Sequence, residues 1–321
     1  MERPDGAALR SDATVGIDIG GTKISAAVVD RGGKITGRAE VPTPASEGPE
    51  AILDRASELA VRVASSAGIT PEHYGVGSAG AFDERGRVVH ATDHLAHWAG
   101  TDVSRGFERR LGAPVVVVND VHAAALGERW SDGAAELDRF LFVAVGTGIA
   151  GAVVAGGRVL RGASGLGGSI GHVRIPSDRR RVCSCGGVDH IEAFASGPGI
   201  ERSYLEFTGE PRSLREVARL AGAGDIVSAA VIRMAAEELG DSLAAAVTVF
   251  DPGVVVLGGG VADIGELFLS PLSARLAAAL RTPFADVVVR RADYGSDAAL
   301  LGAGGLALRL QAGGALADHF A

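Results

Sequence analysis

Two short stretches of the chain repeat one pattern of apolar and polar positions. In residues 15–30 an apolar run leads into a glycine-threonine turn and is followed by a second apolar run. The same order recurs in residues 140–155, again around a Gly-Thr turn. Apolar runs on both sides of a glycine-containing turn predict a β-hairpin. We therefore expect two similar hairpins, each near the start of a sheet.

Both predicted turns have the composition of a backbone that binds anions. Glycine lacks Cβ and lets backbone N–H groups approach an anion, while threonine adds a hydroxyl donor. A hairpin without a ligand is the simpler interpretation of one such turn, but the repetition favours two similar halves that bind one polyphosphate. The residues concerned are Gly20, Gly21, Thr22 and Lys23 in the first turn, and Gly146, Thr147 and Gly148 in the second.

A third glycine-rich turn follows a short apolar run at residues 254–257. Gly258, Gly259 and Gly260 come next, and an amphipathic stretch covers residues 264–280. A strand, a glycine turn and a helix N-terminus together favour nucleotide or anion binding. The spacing matches neither the Walker P-loop nor the dinucleotide fingerprint.

The remaining pattern predicts an α/β protein of two domains, as the length of 321 residues also suggests. Apolar spacing predicts helices at residues 49–68, 214–221, 226–249 and 296–310, and a strand at residues 75–77. We expect an N-terminal lobe over residues 1–118, joined by the returning residues 296–321, and a C-terminal lobe over residues 119–295. Gly302, Gly304 and Gly305 in the last helix predict close packing.

Composition narrows the choice of partners. The chain is 47% hydrophobic and 22% charged, with a formal net charge of −8. That balance provides a core and argues against nucleic acid or an anionic membrane as a partner. No apolar run of about 18 residues predicts a membrane span. The polar first dozen residues lack the apolar core of a signal peptide, so a cytoplasmic protein is expected.

The two cysteines lie close to two histidines. Cys183 and Cys185 are separated by one residue, His172 precedes them and His190 follows, in the pattern His-x10-Cys-x-Cys-x4-His. Four nitrogen and sulfur ligands on a glycine-rich loop can surround a tetrahedral Zn²⁺, and four protein ligands make a closed, structural site. Two buried thiols beside two ordinary histidines are the alternative.

Several motifs, in this order, resemble those of the ROK family of sugar kinases and sugar-responsive repressors. They are Asp18-Ile-Gly-Gly-Thr-Lys23, Val116-Val-Val-Asn-Asp120, Gly146-Thr-Gly148, Gly168-Ser-Ile-Gly-His172, Cys183-Ser-Cys185 with His190-Ile-Glu192, Ser196-Gly197 and Gly258-Gly-Gly260. The resemblance implies a two-lobed actin-like (ribonuclease H-like) ATPase fold with a cleft between the lobes. It further implies an ATP-dependent hexose kinase that phosphorylates a glucose-like sugar at its 6-hydroxyl group.

The resemblance also implies roles for individual residues. Asp120 is expected to be the general base, although an Asn-Asp pair is also a common helix N-cap. Asp18 is expected to hold Mg²⁺ through water, and the three glycine turns to bind the phosphates of ATP. The residues expected at the sugar are Gly80, His94, Asn119, Asp120, Ser169, His172 and Glu192. His172 is expected to bind both zinc and a sugar hydroxyl.

This chain departs from the family pattern at several positions. His190 replaces a usual cysteine, Ser169 replaces a sugar-binding glutamate, and His94 replaces an asparagine. Ala79-Gly80 stands where the family has Pro-Gly. Because a site built on hydrogen bonds discriminates strongly when one partner changes, an aminodeoxy or N-acylamino hexose is an alternative substrate.

Two other functions compete with the kinase hypothesis. A repressor of this family carries a helix-turn-helix segment before the first hairpin, and only about fourteen residues precede it here. The expectation is therefore no DNA binding. A sugar-binding protein without catalysis is the other alternative, which Asp120 and both phosphate turns argue against. A homodimer is expected, because symmetric pairs are the commonest oligomers.

Overall fold

The computed structural model describes residues 12–91, 95–130, 137–280 and 286–321. The strands, numbered in chain order, are β1 (Ala13–Ile19), β2 (Lys23–Asp30), β3 (Ile35–Pro42), β4 (Tyr74–Ser78), β5 (Ala81–Phe82), β6 (Val88–His90), β7 (Val115–Asn119), β8 (Arg139–Val145), β9 (Ile149–Ala155), β10 (Arg158–Val159), β11 (Val254–Gly258) and β12 (Val288–Arg291). The α-helices are α1 (Pro49–Ser66), α2 (Val103–Leu111), α3 (Asp120–Glu128), α4 (Glu192–Ala195), α5 (Gly197–Thr208), α6 (Leu214–Gly222), α7 (Ile226–Phe250), α8 (Glu266–Ala279) and α9 (Ala298–Gln311).

The chain divides into two units, which are built from alternating segments. Unit 1 consists of Met1–Ala135, Arg158–Gly167 and Asp293–Ala321. Unit 2 consists of Glu136–Gly157 and Gly168–Ala292. The chain therefore passes between the units several times.

Both predicted hairpins are present. β1 pairs with β2 in antiparallel fashion, and its last pair is Ile19 with Ile24. β8 pairs with β9 in the same way, and the last pair is Val145 with Ile149. Each Gly-Thr turn thus lies at the end of a hairpin, as the repeated pattern predicts.

The sheet of unit 1 has the strand order β3-β2-β1-β4-β7. β4 runs parallel to β1, and β7 runs parallel to β4. Buried apolar side chains such as Val15, Ile17 and Val76 form its core. Because three adjacent strands are parallel, their carboxyl ends meet at one edge of the sheet.

Helix α9 packs directly on this sheet because glycines remove the intervening side chains. A Cβ at Gly16 would lie 2.2 Å from the Leu300 carbonyl oxygen, and one at Gly75 would lie 1.9 Å from that of Ala303. On the helix, a Cβ at Gly302 would lie 1.7 Å from the Ala123 carbonyl oxygen. The close packing predicted for the last helix is therefore present.

The boundary between the units differs from the predicted one at Val118. Helix α3 begins directly after β7 and packs against α9, so the residues of α3 belong to unit 1. A Cβ at Gly127 of α3 would lie 2.0 Å from the Ala298 carbonyl oxygen. Residues 158–167 also belong to unit 1, since the backbone of β10 pairs with residues 319–321.

Unit 2 combines a second sheet with long helices. Four of its strands lie in the order β9-β8-β11-β12, and β11 runs parallel to both β8 and β12. Helix α7 buries Ile232, Leu239 and Leu243 and packs against α8. The predicted helices at residues 214–221 and 226–249 correspond to α6 and α7.

Among the residues that the structure describes, every helix is too short or too polar to cross a membrane.

Candidate functional site

The predicted site residues of unit 1 gather at the carboxyl edge of its sheet. Asp18 is the second-to-last residue of β1, Gly80 follows β4, and Asn119 ends β7. The parallel register pairs Ile19 with Ser78, and Ser78 with Asn119. Ligands of open α/β sheets bind at this edge. The topology thus brings together residues that are a hundred positions apart in the sequence.

Asn119 has two structural roles. Its side-chain oxygen accepts hydrogen bonds from the backbone nitrogens of Val121 (3.0 Å) and His122 (3.1 Å) and so caps helix α3. Its amide nitrogen donates to the Gly80 carbonyl oxygen and to Asp120 Oδ1, each at 3.0 Å. The side chain therefore fixes the start of α3, the loop after β4 and the Asp120 carboxylate in one arrangement.

Gly80 stands at a position that suits only a residue without a side chain. Its φ angle is +114°, and a Cβ there would lie 3.0 Å from the His90 carbonyl oxygen. Other residues rarely adopt this backbone conformation. The loop consequently presents its carbonyl oxygen to Asn119 and keeps the backbone close to the strand ends.

The two carboxyl groups at this edge have strongly altered acidity. Burial and, to a lesser extent, the nearby Asp120 carboxylate raise the pKa of Asp18 to about 7, against the opposing effect of Lys23 and Arg38. Burial also raises the pKa of Asp120, against the lowering effect of its hydrogen bonds to the backbone and to Asn119. Paired acids with raised pKa values in one location are typical of active sites.

The first Gly-Thr turn is braced by a residue from the end of β3. The Gly20 nitrogen donates to the Lys23 carbonyl oxygen at 3.0 Å, closing the turn. The Thr43 hydroxyl donates to the Gly20 carbonyl oxygen at 2.7 Å, and the Thr43 nitrogen donates to that of Thr22 at 3.0 Å. Thr22 itself is exposed at the tip, and Lys23 forms an ion pair with Glu40 at 3.0 Å.

The second turn, residues 146–148, lies in unit 2 and is held by the start of α5. The Gly146 nitrogen donates to the Gly148 carbonyl oxygen at 2.8 Å, and Thr147 is exposed. The Gly197 nitrogen, at the first residue of α5, donates to the Gly146 carbonyl oxygen at 2.8 Å. The Ser196 hydroxyl caps α5 by accepting from the Gly199 nitrogen.

The third glycine turn lies against the base of the second hairpin. Gly259 has a φ angle of +88°, and a Cβ there would lie 2.4 Å from the Val145 carbonyl oxygen. The Val261 nitrogen donates to the same oxygen at 2.9 Å. The two predicted phosphate elements of unit 2 are therefore neighbours. A 3-10 turn at Ala262–Ile264 separates the glycines from α8, which begins at Glu266 and hence later than expected.

The two cysteines and two histidines form one cluster. The ligand atoms of His172, Cys183, Cys185 and His190 all lie within 4.8 Å of one another. Cys183 Sγ is 3.7 Å from His172 Nδ1, and Cys185 Sγ is 3.2 Å from His190 Nδ1. Ligand atoms around a tetrahedral Zn²⁺ are roughly 3.3–3.8 Å apart, so the donor types suit zinc and these two pairs already have about this spacing.

The loop that carries the Cys/His cluster is anchored by buried charge. Arg181 is fully buried, and its backbone nitrogen donates to Asp189 Oδ1 at 2.9 Å. Its guanidinium donates to the carbonyl oxygens of Ala193 and Gly199, to the Ser203 hydroxyl and to Glu206. These contacts tie the loop to α5 without a metal.

Glu192 lies between the Cys/His cluster and the second turn. Its side chain is buried, and its Oε2 accepts from the Ile149 nitrogen at 2.9 Å. Its Oε1 accepts from Cys183 Sγ at 3.2 Å and from the Ser184 hydroxyl. Of the predicted sugar ligands, Ser169 precedes a 3-10 turn and His172 ends it, and a Cβ at Gly171 in that turn would lie 1.9 Å from the Ile149 carbonyl oxygen. His94 lies outside the described residues.

Some contributors were not apparent from the sequence. Thr43 and Arg38 lie on or after β3, distant in sequence from the first turn and from Asp18. Ser184 lies between the cysteines, and no feature of the sequence beyond its hydroxyl group indicates its hydrogen bond to Glu192. Only the sheet pairing and the loop conformation reveal these contacts.

Two hairpin-led sheets, glycine-threonine turns at the hairpin ends and paired carboxyl groups at a strand edge define an actin-like ATPase fold of the sugar-kinase type. The family model described as the ROK family matches residues 14–310, and the chain belongs to that family. A glucokinase of Streptomyces coelicolor is 33% identical over 315 residues, covering 92% of this chain and 97% of that protein. An N-acetylmannosamine kinase of Escherichia coli is 33% identical over 295 residues, covering 92% and 98%. The solved structure of a ROK family glucokinase from Streptomyces griseus, in complex with glucose and AMPPNP, has a TM-score of 0.81, 34% identity, and coverage of 92% and 99%.

Proposed function

We propose that this protein is an ATP-dependent hexose kinase that phosphorylates a glucose-like sugar at the 6-hydroxyl group. The observation that carries the proposal is the Asn119–Asp120 pair, fixed at the carboxyl edge of the sheet of unit 1. Support comes from the ROK glucokinase whose structure holds glucose and AMPPNP and which is 34% identical to this chain.

In the proposed reaction Asp120 is the general base. Its Oδ1 is held by the Asn119 amide and the Val121 nitrogen, so Oδ2 is the oxygen that takes the proton of the sugar 6-hydroxyl. The resulting alkoxide oxygen forms a bond to the γ-phosphorus as the bond to the β-phosphate oxygen breaks, giving ADP and the sugar phosphate. Burial raises the pKa of Asp120 above its ordinary value, and a carboxylate of higher pKa is a stronger proton acceptor.

The glycine turns supply the proposed contacts to ATP. These contacts are the backbone N–H groups and threonine hydroxyls of the turn containing Gly20, Gly21 and Thr22 and of residues 146–148 and 258–260. Asp18 is the proposed Mg²⁺ residue, acting through water. A divalent cation there would offset the repulsion between Asp18 and Asp120 and neutralise charge on the phosphates.

The proposed sugar contacts fall into two groups. Asn119, the Gly80 loop and His94 form the first. Ser169, His172 and Glu192, on the loops that surround the Cys/His cluster, form the second. Structural zinc at this cluster would hold those loops in place; it supplies no Lewis acid to the reaction, because four protein ligands leave no open position.

A modified glucose is the second candidate substrate. Ser169 stands in the Gly-Ser-Ile-Gly-His stretch, where a hydroxyl provides a donor that a carboxylate does not. An aminodeoxy or N-acylamino hexose would then be preferred, and a 33% identical relative is named for N-acetylmannosamine.

The test is ADP release with ATP, Mg²⁺ and a panel of glucose, mannose, amino sugars and N-acyl sugars. Turnover with glucose supports the first candidate, and turnover restricted to amino or acylamino sugars supports the second. Absence of turnover with every sugar, combined with measurable sugar binding, would instead indicate a silent sugar-binding protein.

The variant Asp120→Asn tests the assignment of Asp120 as the general base. We expect kcat to fall at least about 10²-fold, because the amide cannot accept the proton, while the hydrogen bonds that cap α3 remain. A melting temperature equal to wild type would assign the loss to chemistry. Full activity of this variant would refute the assignment of the base.

We also propose that the enzyme works in the cytoplasm and as a homodimer, since its proposed substrates are metabolites and symmetric pairs are common. Sedimentation velocity at micromolar concentration tests the homodimer, and a monomer in that experiment would contradict it.

A further inference from the structure

The segment of residues 192–197 holds the second turn from both sides. At its start, Glu192 Oε2 accepts from the Ile149 nitrogen at 2.9 Å, immediately after the turn. At its end, the Gly197 nitrogen donates to the Gly146 carbonyl oxygen at 2.8 Å, at the first residue of the turn. Thr147 and Gly148 thus lie between two hydrogen bonds from one short segment.

The same segment begins two residues after His190 of the Cys/His cluster. Glu192 uses its other oxygen, Oε1, to accept from Cys183 Sγ at 3.2 Å and from the Ser184 hydroxyl. A zinc-bound cysteine is a thiolate and cannot donate, so in the ligated state the Ser184 hydroxyl, which lies between the two cysteines, carries the link from the cluster loop to Glu192 and the turn. The Glu192 side chain is 8% exposed, so water offers little competition for these hydrogen bonds.

Gly148 is shaped to admit this link. A Cβ at that position would lie 2.7 Å from Glu192 Oε2, so a larger residue would displace the carboxylate from its present position. The glycine thus favours the observed approach of Glu192 to the turn. The turn and Glu192 form one packed arrangement with little room for independent movement.

We infer that Glu192 is a positioning residue that couples the occupancy of the Cys/His cluster to nucleotide affinity at residues 146–148. This inference rests on the proposed function. With the cluster ligated, Cys183, Cys185 and His190 are fixed, and with them Ser184 between the two cysteines and the start of the segment that carries Glu192. Without ligation, the loop stays anchored by Arg181, but the link to Glu192 loses its rigid support.

The test measures binding of AMPPNP by calorimetry, in the absence of sugar, for protein loaded with zinc and for protein stripped by a strong chelator. We expect metal removal to weaken AMPPNP binding to wild type about tenfold, within the usual range of coupling between sites. In Glu192→Ala the affinity should be low and independent of metal. Glu192→Gln should restore the dependence, because its amide can accept from Ile149 and donate to Ser184.

Glu201→Ala is the matched control variant. The Glu201 carboxylate also accepts from a backbone nitrogen in unit 2, that of Leu214 at 2.6 Å, but makes no hydrogen bond to the turn or the cluster in the described contacts. This variant should show the same metal dependence as wild type.

A second measurement needs no substitution. Hydrogen exchange at the Ile149 amide should accelerate several-fold on metal removal if its bond to Glu192 loosens. Equal AMPPNP affinity and equal exchange in both metal states would overturn the coupling, as would metal dependence that persists in Glu192→Ala. Failure of zinc-loaded wild type to bind AMPPNP at all would instead refute the proposed kinase function.

Discussion

Asp18 is an acid that the folded protein keeps from ionising. Burial, with a smaller contribution from the Asp120 carboxylate, raises its pKa to about 7. The unfolded chain has a value near 3.8, so between these two pH values the folded protein binds a proton that the unfolded chain has lost. The resulting contribution favours folding fully below about pH 4 and is lost as the pH rises through 7.

Asp18→Asn should therefore be more stable than wild type at alkaline pH. At pH 8 we expect a gain of about 2 kcal/mol in unfolding free energy, since partial exposure reduces the effect of full burial, and the difference should vanish near pH 4. Urea denaturation across that range measures it. Asp263→Asn, which removes an exposed partner of Arg291, should leave the shape of the pH profile unchanged. A constant difference between Asp18→Asn and wild type at all pH values would contradict this account.

For single residues, the sequence identifies the acidic side chains of the site but not the neighbouring groups that shift their pKa values. Asp18 and Asp120 stand at the ends of apolar runs, where the strand pattern and the family motifs both select them. Their mutual influence depends on the parallel pairing of β1, β4 and β7, which no local pattern encodes. Arg38, which opposes the rise in the pKa of Asp18, lies on β3. Its proximity to Asp18 follows from the order of the strands in the sheet, which the sequence pattern does not give.

Among the elements, α9 makes the tightest contacts in unit 1. A Cβ at Gly302 would lie 1.7 Å from the Ala123 carbonyl oxygen of α3, a backbone atom that cannot turn away. We expect Gly302→Ala to lower the unfolding free energy by about 3 kcal/mol, because α3 and α9 would have to separate. Chemical denaturation measures the change.

Gly222→Ala is its matched control. Gly222 is also helical, at the end of α6, but nothing lies within 4 Å of a Cβ there. Its substitution should be neutral or slightly stabilising, since alanine favours helix. Equal effects of the two substitutions would show that helix propensity, and not packing, explains the glycines of α9.

Element by element, strong periodicity was the best guide. The hairpins, α1, α6 and α7 lie where the sequence predicts them, since each has a sustained apolar pattern. The apolar pattern predicts that α8 begins at Ile264, two residues before its observed start at Glu266, because a 3-10 turn shares the apolar pattern of a helix start. Helix α3 was assigned to the wrong side of the boundary, because its packing on α9 joins residues far apart in the chain.

Across the whole molecule, a loop built from few apolar residues is held by one buried arginine and the Cys/His cluster. Arg181 bonds to α5 and to Asp189 irrespective of metal. We therefore expect one zinc per purified chain, and chelation should lower the melting temperature by several degrees while leaving one cooperative transition. Elemental analysis and calorimetry measure both.

His190→Cys and Cys183→Ser test the ligand set. The first supplies the thiolate that the family pattern has at this position and should retain zinc at least as well as wild type. The second should lose it. Zinc that remains bound in Cys183→Ser would exclude the cluster as the metal site.

The domain assignment shows where sequence reasoning stops at this scale. Length and the repeated hairpin indicate two units, yet the passage of the chain between them four times is set by tertiary packing. The strand-like pairing of β10 with residues 319–321 illustrates this, since neither partner has a periodic pattern of its own.

The position of α9 has a consequence for biosynthesis. The strands β1, β2 and β4 leave the ribosome long before the helix that covers them. Gly16 and Gly75 offer no side chains to shield the exposed face meanwhile, while all of residues 168–292 are translated. Until the last helix is made, the apolar face of this sheet stays uncovered, and exposed surface of that kind favours aggregation of folding intermediates.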